Sequence, residues 1–202
     1  MIKRDCCALL VIDMEHDFVH GPMAVAGAAE LASRLVPLLR AARSAGVPVV
    51  FANQELRVGG DDVGPLARFE GIQRGTALRE RTEGVRVVPE LDPRPTDMYV
   101  VKRRFSAFFA TDLDLLLRSR GIAQLVVCGV AAHVCCDTTA RDAFQFGYET
   151  IYVVDGVEMG NLPDVGFGTI AADQAKATIA TVLAHRFATL RTIDELVAEL
   201  RE

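Results

Sequence analysis

The sequence lacks the features that define several protein classes. It has no run of the roughly 18 consecutive apolar residues that a membrane-spanning helix requires, although half of its 202 residues are hydrophobic. Its amino-terminal residues contain neither the apolar stretch nor the small-residue cleavage site of a secretory signal, so we expect a cytoplasmic protein. The net charge of −5 offers no basic surface for nucleic acid or for an anionic membrane. The expected partner is therefore a small molecule.

The sequence also lacks patterns typical of disulfide cross-links, metal sites or cofactor-binding loops. The cysteines are odd in number, and their spacing includes no C-x-x-C pair, which argues against disulfides and against a zinc or redox motif. They are Cys6, Cys7, Cys128, Cys135 and Cys136. The glycines do not follow strands in the pattern of a phosphate-binding loop. We therefore expect no metal and no cofactor.

What the sequence does contain is an alternation of apolar runs and helical patterns. The length fits one domain over residues 1–202. Continuous apolar runs predict strands at residues 8–12, 47–52, 98–101, 125–130, 150–154 and 187–190. Helical spacing predicts helices at residues 28–45, from Thr111 to just before Gly121, and at 135–146, 168–185 and 192–200. This alternation is typical of a three-layer α/β/α, Rossmann-like fold with a six-stranded, mainly parallel sheet. Residues 55–97 are predicted to be a long excursion with a short helix, and loops of that length are usually functional.

Three predicted strands end near chemically reactive side chains. Asp13 follows the first strand, Lys102 ends the third, and Cys135 follows the fourth and opens the next helix. Ligands of such folds bind outside the carboxyl ends of the strands. Each residue alone has an ordinary explanation as a cap, a surface charge or a core residue. Their convergence on one edge of the sheet is what indicates a site.

These three side chains form a chemically complete set for acyl transfer. A thiol at a helix amino terminus and beside an ammonium group should have a lowered pKa. A neighbouring carboxylate can accept the thiol proton and pass it to a leaving nitrogen. Backbone amides at the turn can hold the oxyanion of a tetrahedral intermediate. The set needs neither histidine nor metal.

Three segments carry a resemblance to a known family. They are residues 10–18 (LVIDMEHDF), 101–113 (VKRRFSAFFATDL) and 128–143 (CGVAAHVCCDTTARDA). In this order they resemble the isochorismatase-like cysteine hydrolase superfamily, which includes nicotinamidases, N-carbamoylsarcosine amidases and ureidoacrylate amidohydrolases. The similarity extends over nearly the whole chain, and the resemblance implies the isochorismatase-like version of the α/β/α fold.

The resemblance also implies roles for individual residues. It makes Asp13 the general base, Lys102 the electrostatic partner and Cys135 the nucleophile. It implies a cis peptide bond between Val130 and Ala131, and an oxyanion hole formed by the amides of Ala131 and Cys135. Members of the superfamily commonly assemble, so a homodimer or homotetramer is expected. The D-x-H metal site of nicotinamidases is absent, because residues 53–57 read NQELR.

Two reactions remain open at this point. The segment 130–134 and the residues after Lys102 resemble true isochorismatases, which hydrolyse a vinyl ether with Asp and Lys and carry Gly at the nucleophile position. This chain has Cys135 there, and a thiol provides a covalent route. The sequence therefore favours hydrolysis of a C–N bond in a small amide, ureide or carbamoyl compound through a thioester. Vinyl-ether hydrolysis without covalent catalysis is the alternative.

Four further residues are predicted to contact the substrate. Gln54 can hydrogen-bond a carbonyl or urea group, and Phe18 and Phe105 can form walls of the pocket. His133, two residues before Cys135, is assigned a pocket role as well. Either the excursion at residues 55–97 or a neighbouring subunit is expected to close the pocket.

Overall fold

A six-stranded parallel sheet organises the part of the chain that the structure describes, residues 1–201 of this computed structural model. The strands are β1 (Cys7–Ile12), β2 (Val49–Gln54), β3 (Met98–Lys102), β4 (Gln124–Val130), β5 (Glu149–Glu158) and β6 (Thr189–Arg191). Their order across the sheet is β3-β2-β1-β4-β5-β6, and all neighbours pair in parallel. The predicted α/β class is confirmed, and the sheet is entirely parallel within these residues.

Within residues 1–201, seven α-helices connect the strands and flank them. They are α1 (His16–Val19), α2 (Ala28–Ser44), α3 (Glu70–Gln73), α4 (Leu113–Arg118), α5 (Asp137–Gln145), α6 (Ala172–Arg186) and α7 (Ile193–Arg201). A π-helical turn over Ala132–Cys136 leads directly into α5. Among residues 1–201, no helix combines the length and the apolar character needed to cross a bilayer.

Helices cover the sheet on both faces and make the three predicted layers. Alternate residues of each strand point to opposite faces. The strands therefore contribute side chains to two separate hydrophobic cores, one on each face of the sheet. One core contains Leu9 and Phe51 with side chains of α2 and α7. The other contains Leu10 and Val127 with side chains of α4, α5 and α6. Strands β1 and β4 are buried along their whole length, as the continuous apolar runs predict.

The three largest departures from the predicted element boundaries are at β5, at α6 and after β4; the other boundaries shift by no more than two residues. Strand β5 runs to Glu158 rather than ending at residue 154, and it pairs beyond a bulge with the end of β4. Helix α6 begins at Ala172 rather than at residue 168. Helical structure after β4 begins at Ala132, three residues before the predicted start at Cys135. The last shift places the cysteine inside a wide turn instead of at the first residue of a helix.

The excursion between β2 and β3 has a small core of its own. It contains the short helix α3, as predicted, together with three 3₁₀ turns. The buried apolar side chains of this small core are Leu56, Val63, Leu66, Ile72, Ala77 and Leu78. We call this group the excursion cluster. Because these side chains exclude water, the excursion is a packed structure rather than an open loop.

Helix α7 begins with reciprocal hydrogen bonds that the sequence signals. The Glu195 amide donates to Thr192 Oγ1 at 3.3 Å, and the Thr192 amide donates to Glu195 Oε2 at 2.8 Å. This is a capping box, which satisfies amides that a helix start leaves unpaired. The amide of Ile193, the residue after Thr192, donates to Asp155 Oδ1 in β5 at 2.8 Å.

Replacing Thr192 with alanine should destabilise the protein by about 1 kcal/mol, because one capping hydrogen bond is lost. For a chain of this size, that change lowers the melting temperature by roughly 2–4 °C. Thermal unfolding measures it, and Thr178→Ala on the exposed face of α6 is the matched control. Equal melting temperatures for the two variants would show that the capping box adds nothing.

Candidate active site

The carboxyl ends of β1 and β4 are brought into very close contact. Ile12 and Gly129 are register partners on these strands. A Cβ atom at Gly129 would lie 2.0 Å from the Ile12 carbonyl oxygen, and the residue has φ of +119°. Only glycine fits both the space and the backbone conformation. This approach places the end of β1 next to the turn that carries Cys135.

Asp13, the residue after β1, leaves the strand in an unusual conformation. Its φ is +53°, in the left-handed region where residues other than glycine are uncommon. Its amide donates to the Ala52 carbonyl at 2.9 Å. The side chain is completely buried. A strained and buried carboxyl at a strand end is the kind of outlier that points to function.

Lys102 joins the three predicted side chains. Its Nζ atom lies 2.8 Å from Asp13 Oδ2 and 3.5 Å from Cys135 Sγ. Neither the lysine nor the aspartate side chain is exposed to solvent. The residues predicted from the ends of three strands therefore meet at one point, where a carboxylate, an ammonium and a thiol are within bonding range.

Two more acceptors complete the surroundings of the ammonium group. Lys102 Nζ donates to Gln54 Oε1 at 3.3 Å and to the Arg104 carbonyl at 3.3 Å. Gln54 and Lys102 are register partners on β2 and β3, so their side chains share one face of the sheet. Gln54 is buried, which places it in the site. The contribution of the Arg104 carbonyl was not predicted, because no side-chain pattern signals a backbone acceptor.

Burial and the mutual charges of the three groups together shift their pKa values. It raises the pKa of the Cys135 thiol, the Asp13 carboxylate adds to the rise, and the Lys102 ammonium opposes it. Burial also raises the pKa of Asp13, and Lys102 again opposes the shift. Burial alone would lower the pKa of Lys102, but Asp13 and Cys135 raise it above its ordinary value.

The predicted lowering of the Cys135 pKa is therefore wrong for the protein without substrate. The ammonium of Lys102 favours the thiolate, but burial and the neighbouring carboxylate of Asp13 outweigh it. Burial thus favours the thiol form of Cys135, beside a carboxylate whose raised pKa makes it a stronger base for the thiol proton.

The other predicted site residues differ in their burial and packing. The peptide bond between Val130 and Ala131 is cis. Phe18 and Phe105 are half-buried, and both pack against the excursion cluster. His133 is exposed as a whole residue. The part of its ring that is removed from solvent still lowers its pKa. These placements leave the predicted oxyanion and substrate contacts as predictions.

A comparison with known protein families identifies this arrangement. The family model described as the isochorismatase domain matches residues 7–195. The chain belongs to the isochorismatase family. The protein is accordingly a hydrolase, in agreement with the prediction from the three sequence segments.

Three relatives of this isochorismatase-family protein bear on its chemistry. A cysteine hydrolase from Pseudomonas syringae pv. phaseolicola 1448A has 31% identity and a TM-score of 0.93, with 99% of this chain and 94% of that chain covered. An N-carbamoylsarcosine amidase from Thermoplasma acidophilum has 27% identity and a TM-score of 0.75, covering 94% and 97%. A ureidoacrylate amidohydrolase from Rhizobium rhizogenes is 31% identical, covering 76% of this chain and 71% of its own.

This isochorismatase-family protein also contains a buried acid to which the sequence analysis gave no role. Glu15 lies two residues after Asp13 and is completely buried. Glu15 belongs to the same sequence segment as Asp13, and this neighbourhood is the signal in the sequence that could have pointed to it. Within residues 1–201, no group of three or more His, Cys, Asp or Glu side chains is arranged to hold a metal ion.

Proposed function

We propose that this protein hydrolyses a C–N bond of a small amide, ureide or carbamoyl compound through a thioester on Cys135. The observation that carries the proposal is the position of Lys102 Nζ, 2.8 Å from Asp13 Oδ2 and 3.5 Å from Cys135 Sγ. The amidase and amidohydrolase among its relatives support the substrate class.

The first half of the reaction forms the thioester. Asp13 accepts the Sγ proton as the sulfur attacks the carbonyl carbon, so no stable thiolate is needed beforehand. The amides of Ala131 and Cys135 are assigned to hold the oxyanion of the tetrahedral intermediate. Its collapse breaks the C–N bond, and Asp13 returns the proton to the leaving nitrogen. Lys102 stays protonated and stabilises the negative charge that moves between carboxylate and sulfur.

The second half regenerates the enzyme. Asp13 takes a proton from water, the resulting nucleophile attacks the thioester carbon, and the C–S bond breaks to release the acid. The sulfur recovers its proton from Asp13. Protons, bonds and charges balance over the cycle, and the net reaction is amide plus water giving acid plus amine or ammonia.

Cys135 is nearly inaccessible from solvent. Cys135 is only 4% exposed, so side chains beside it must shift before a substrate reaches Sγ. Gln54, Phe18, Phe105 and His133 are the proposed contacts for that substrate. A cavity of about 580 Å³ lies elsewhere, at the amino-terminal ends of strands β4, β5 and β6. Assembly into a homodimer or homotetramer stays a prediction.

A substrate panel with trapping of the intermediate tests the proposal. Amides, ureides, carbamoyl acids and isochorismate are incubated with the protein, and product is measured together with the intact mass after acid quenching. We expect an amide-type substrate to yield an acid, an amine or ammonia, and an acyl adduct on the peptide that contains Cys135. Turnover of isochorismate alone, with no adduct, would establish vinyl-ether hydrolysis instead.

A further inference from the structure

Glu15 is a buried acid that the proposed reaction does not use. The residue has no exposed surface, and neither carboxyl oxygen has a hydrogen-bond partner among the described residues. Backbone hydrogen bonds join residues 86–88 to the chain just before and just after Glu15. The Val88 amide donates to the Met14 carbonyl at 3.1 Å, and the His16 amide donates to the Arg86 carbonyl at 2.9 Å. These bonds hold the backbone of Glu15 in a fixed position beside the end of β1.

The charges around Glu15 disfavour a second carboxylate. Burial raises the pKa of Glu15 well above its ordinary value, and the charge of Asp13 adds to this. Lys102 opposes the rise, whereas Glu55 and Asp17 add to it. The ammonium of Lys102 already contacts Asp13, Cys135 and Gln54. An ionised Glu15 would be a buried charge without a counter-ion of its own, which is costly.

A neutral Glu15 would also add a hydrogen-bond donor to this buried part of the protein. Asn53 Oδ1 is a further buried side-chain oxygen without a hydrogen-bond partner within residues 1–201. The Asn53 side-chain amide donates to the Val85 carbonyl at 2.9 Å, in the segment that covers Glu15. A protonated carboxyl has one O–H donor, and a carboxylate has none.

We propose that Glu15 is a positioning residue that remains a neutral carboxylic acid in the folded protein and thereby leaves Lys102 as the counter-ion of Asp13 and Cys135 alone. The positioning role rests on the proposed function, whereas the neutrality of Glu15 can be tested without any substrate.

The unfolding equilibrium of Glu15→Gln as a function of pH tests the neutrality. In the unfolded chain Glu15 loses its proton above about pH 4.3, while in the folded wild type it keeps it. Stability of the wild type should therefore fall with rising pH relative to Glu15→Gln, which carries no titrating group. We expect the ratio of the two unfolding constants to change about tenfold per pH unit from about pH 5 upward, until Glu15 ionises in the folded state.

The control is Glu70→Gln, which removes one exposed carboxylate from α3. A pH dependence for Glu15→Gln no steeper than that of the control would overturn the proposal. If Glu15→Gln does not fold, infrared spectra of wild-type protein with ¹³C-labelled glutamate carboxyls replace it. A protonated glutamic acid band at about pH 7 is then expected, and its absence would overturn the proposal.

The pH profile of turnover tests the positioning role separately. If Glu15 ionises in the folded protein at high pH, it competes with Asp13 for Lys102. Hydrolysis by Glu15→Gln should then persist to higher pH than hydrolysis by the wild type. Identical alkaline limbs, at a pH where the unfolding data show that Glu15 has ionised in the folded protein, would overturn the positioning role. If neither protein hydrolyses any substrate, the proposed function fails, and the unfolding experiment still decides whether Glu15 is neutral.

Discussion

Replacement of Cys135 with alanine should reduce turnover by at least about 10³-fold, in line with the losses seen when a catalytic nucleophile is removed. The variant keeps Asp13 and Lys102 but has no atom that can form the thioester. Its fold should be retained, because the change removes one sulfur atom and leaves the ion pair at 2.8 Å intact. Initial rates on the best substrate of the panel measure the effect, and thermal unfolding checks the fold.

Cys136→Ala is the matched control for this experiment. Cys136 is the next residue in the same π-helical turn, and it is completely buried in the core on the side of α5. The control removes the same atom from the same environment, but it leaves Cys135 in place. Turnover should therefore stay within a few-fold of the wild type. Wild-type activity in Cys135→Ala would rule out covalent catalysis and favour the vinyl-ether reaction.

The position of the three reactive groups could be predicted from sequence because it depends on strand ends. In a parallel sheet, residues that follow different strands gather at one edge whatever the loops between them do. Asp13, Lys102 and Cys135 needed only the strand assignments, which the continuous apolar runs supply. The same logic placed Gln54 near the site, since it ends β2 beside the end of β3.

The protonation of the site could not be predicted in this way. The pKa of Cys135 depends on how completely the sulfur is removed from water, and a sequence does not reveal the extent of burial at a strand end. Glu15 escaped prediction for a related reason. Its burial depends on residues 85–88, about seventy positions along the chain, which pair with residues 14–16. The π-helical turn before α5 likewise has no spacing signal that separates it from an ordinary helix start.

Replacement of Lys102 with methionine should destabilise the protein by about 3–5 kcal/mol near neutral pH, because it leaves the Asp13 carboxyl buried without a counter-ion. It should also abolish turnover. The two side chains are similar in length, so the loss reports charge rather than volume. Asp13 can escape part of the penalty by holding its proton, since its pKa rises further once the ammonium is gone. The destabilisation should therefore be smaller at about pH 5 than at about pH 8.

Denaturant unfolding at these two pH values, with three further variants that include the single variant Asp13→Asn, separates charge from packing. Arg74→Met breaks an exposed pair with Glu70, with both side chains about 70% exposed, and should change stability by less than about 0.5 kcal/mol. The double variant Asp13→Asn, Lys102→Met removes both charges and should recover part of the loss, because no buried ion is left unpaired. A double variant as unstable as the sum of the single variants would mean that the two side chains contribute independently. The ammonium would then not be the counter-ion of Asp13, and the proton transfers assigned to this carboxyl would lose their electrostatic basis.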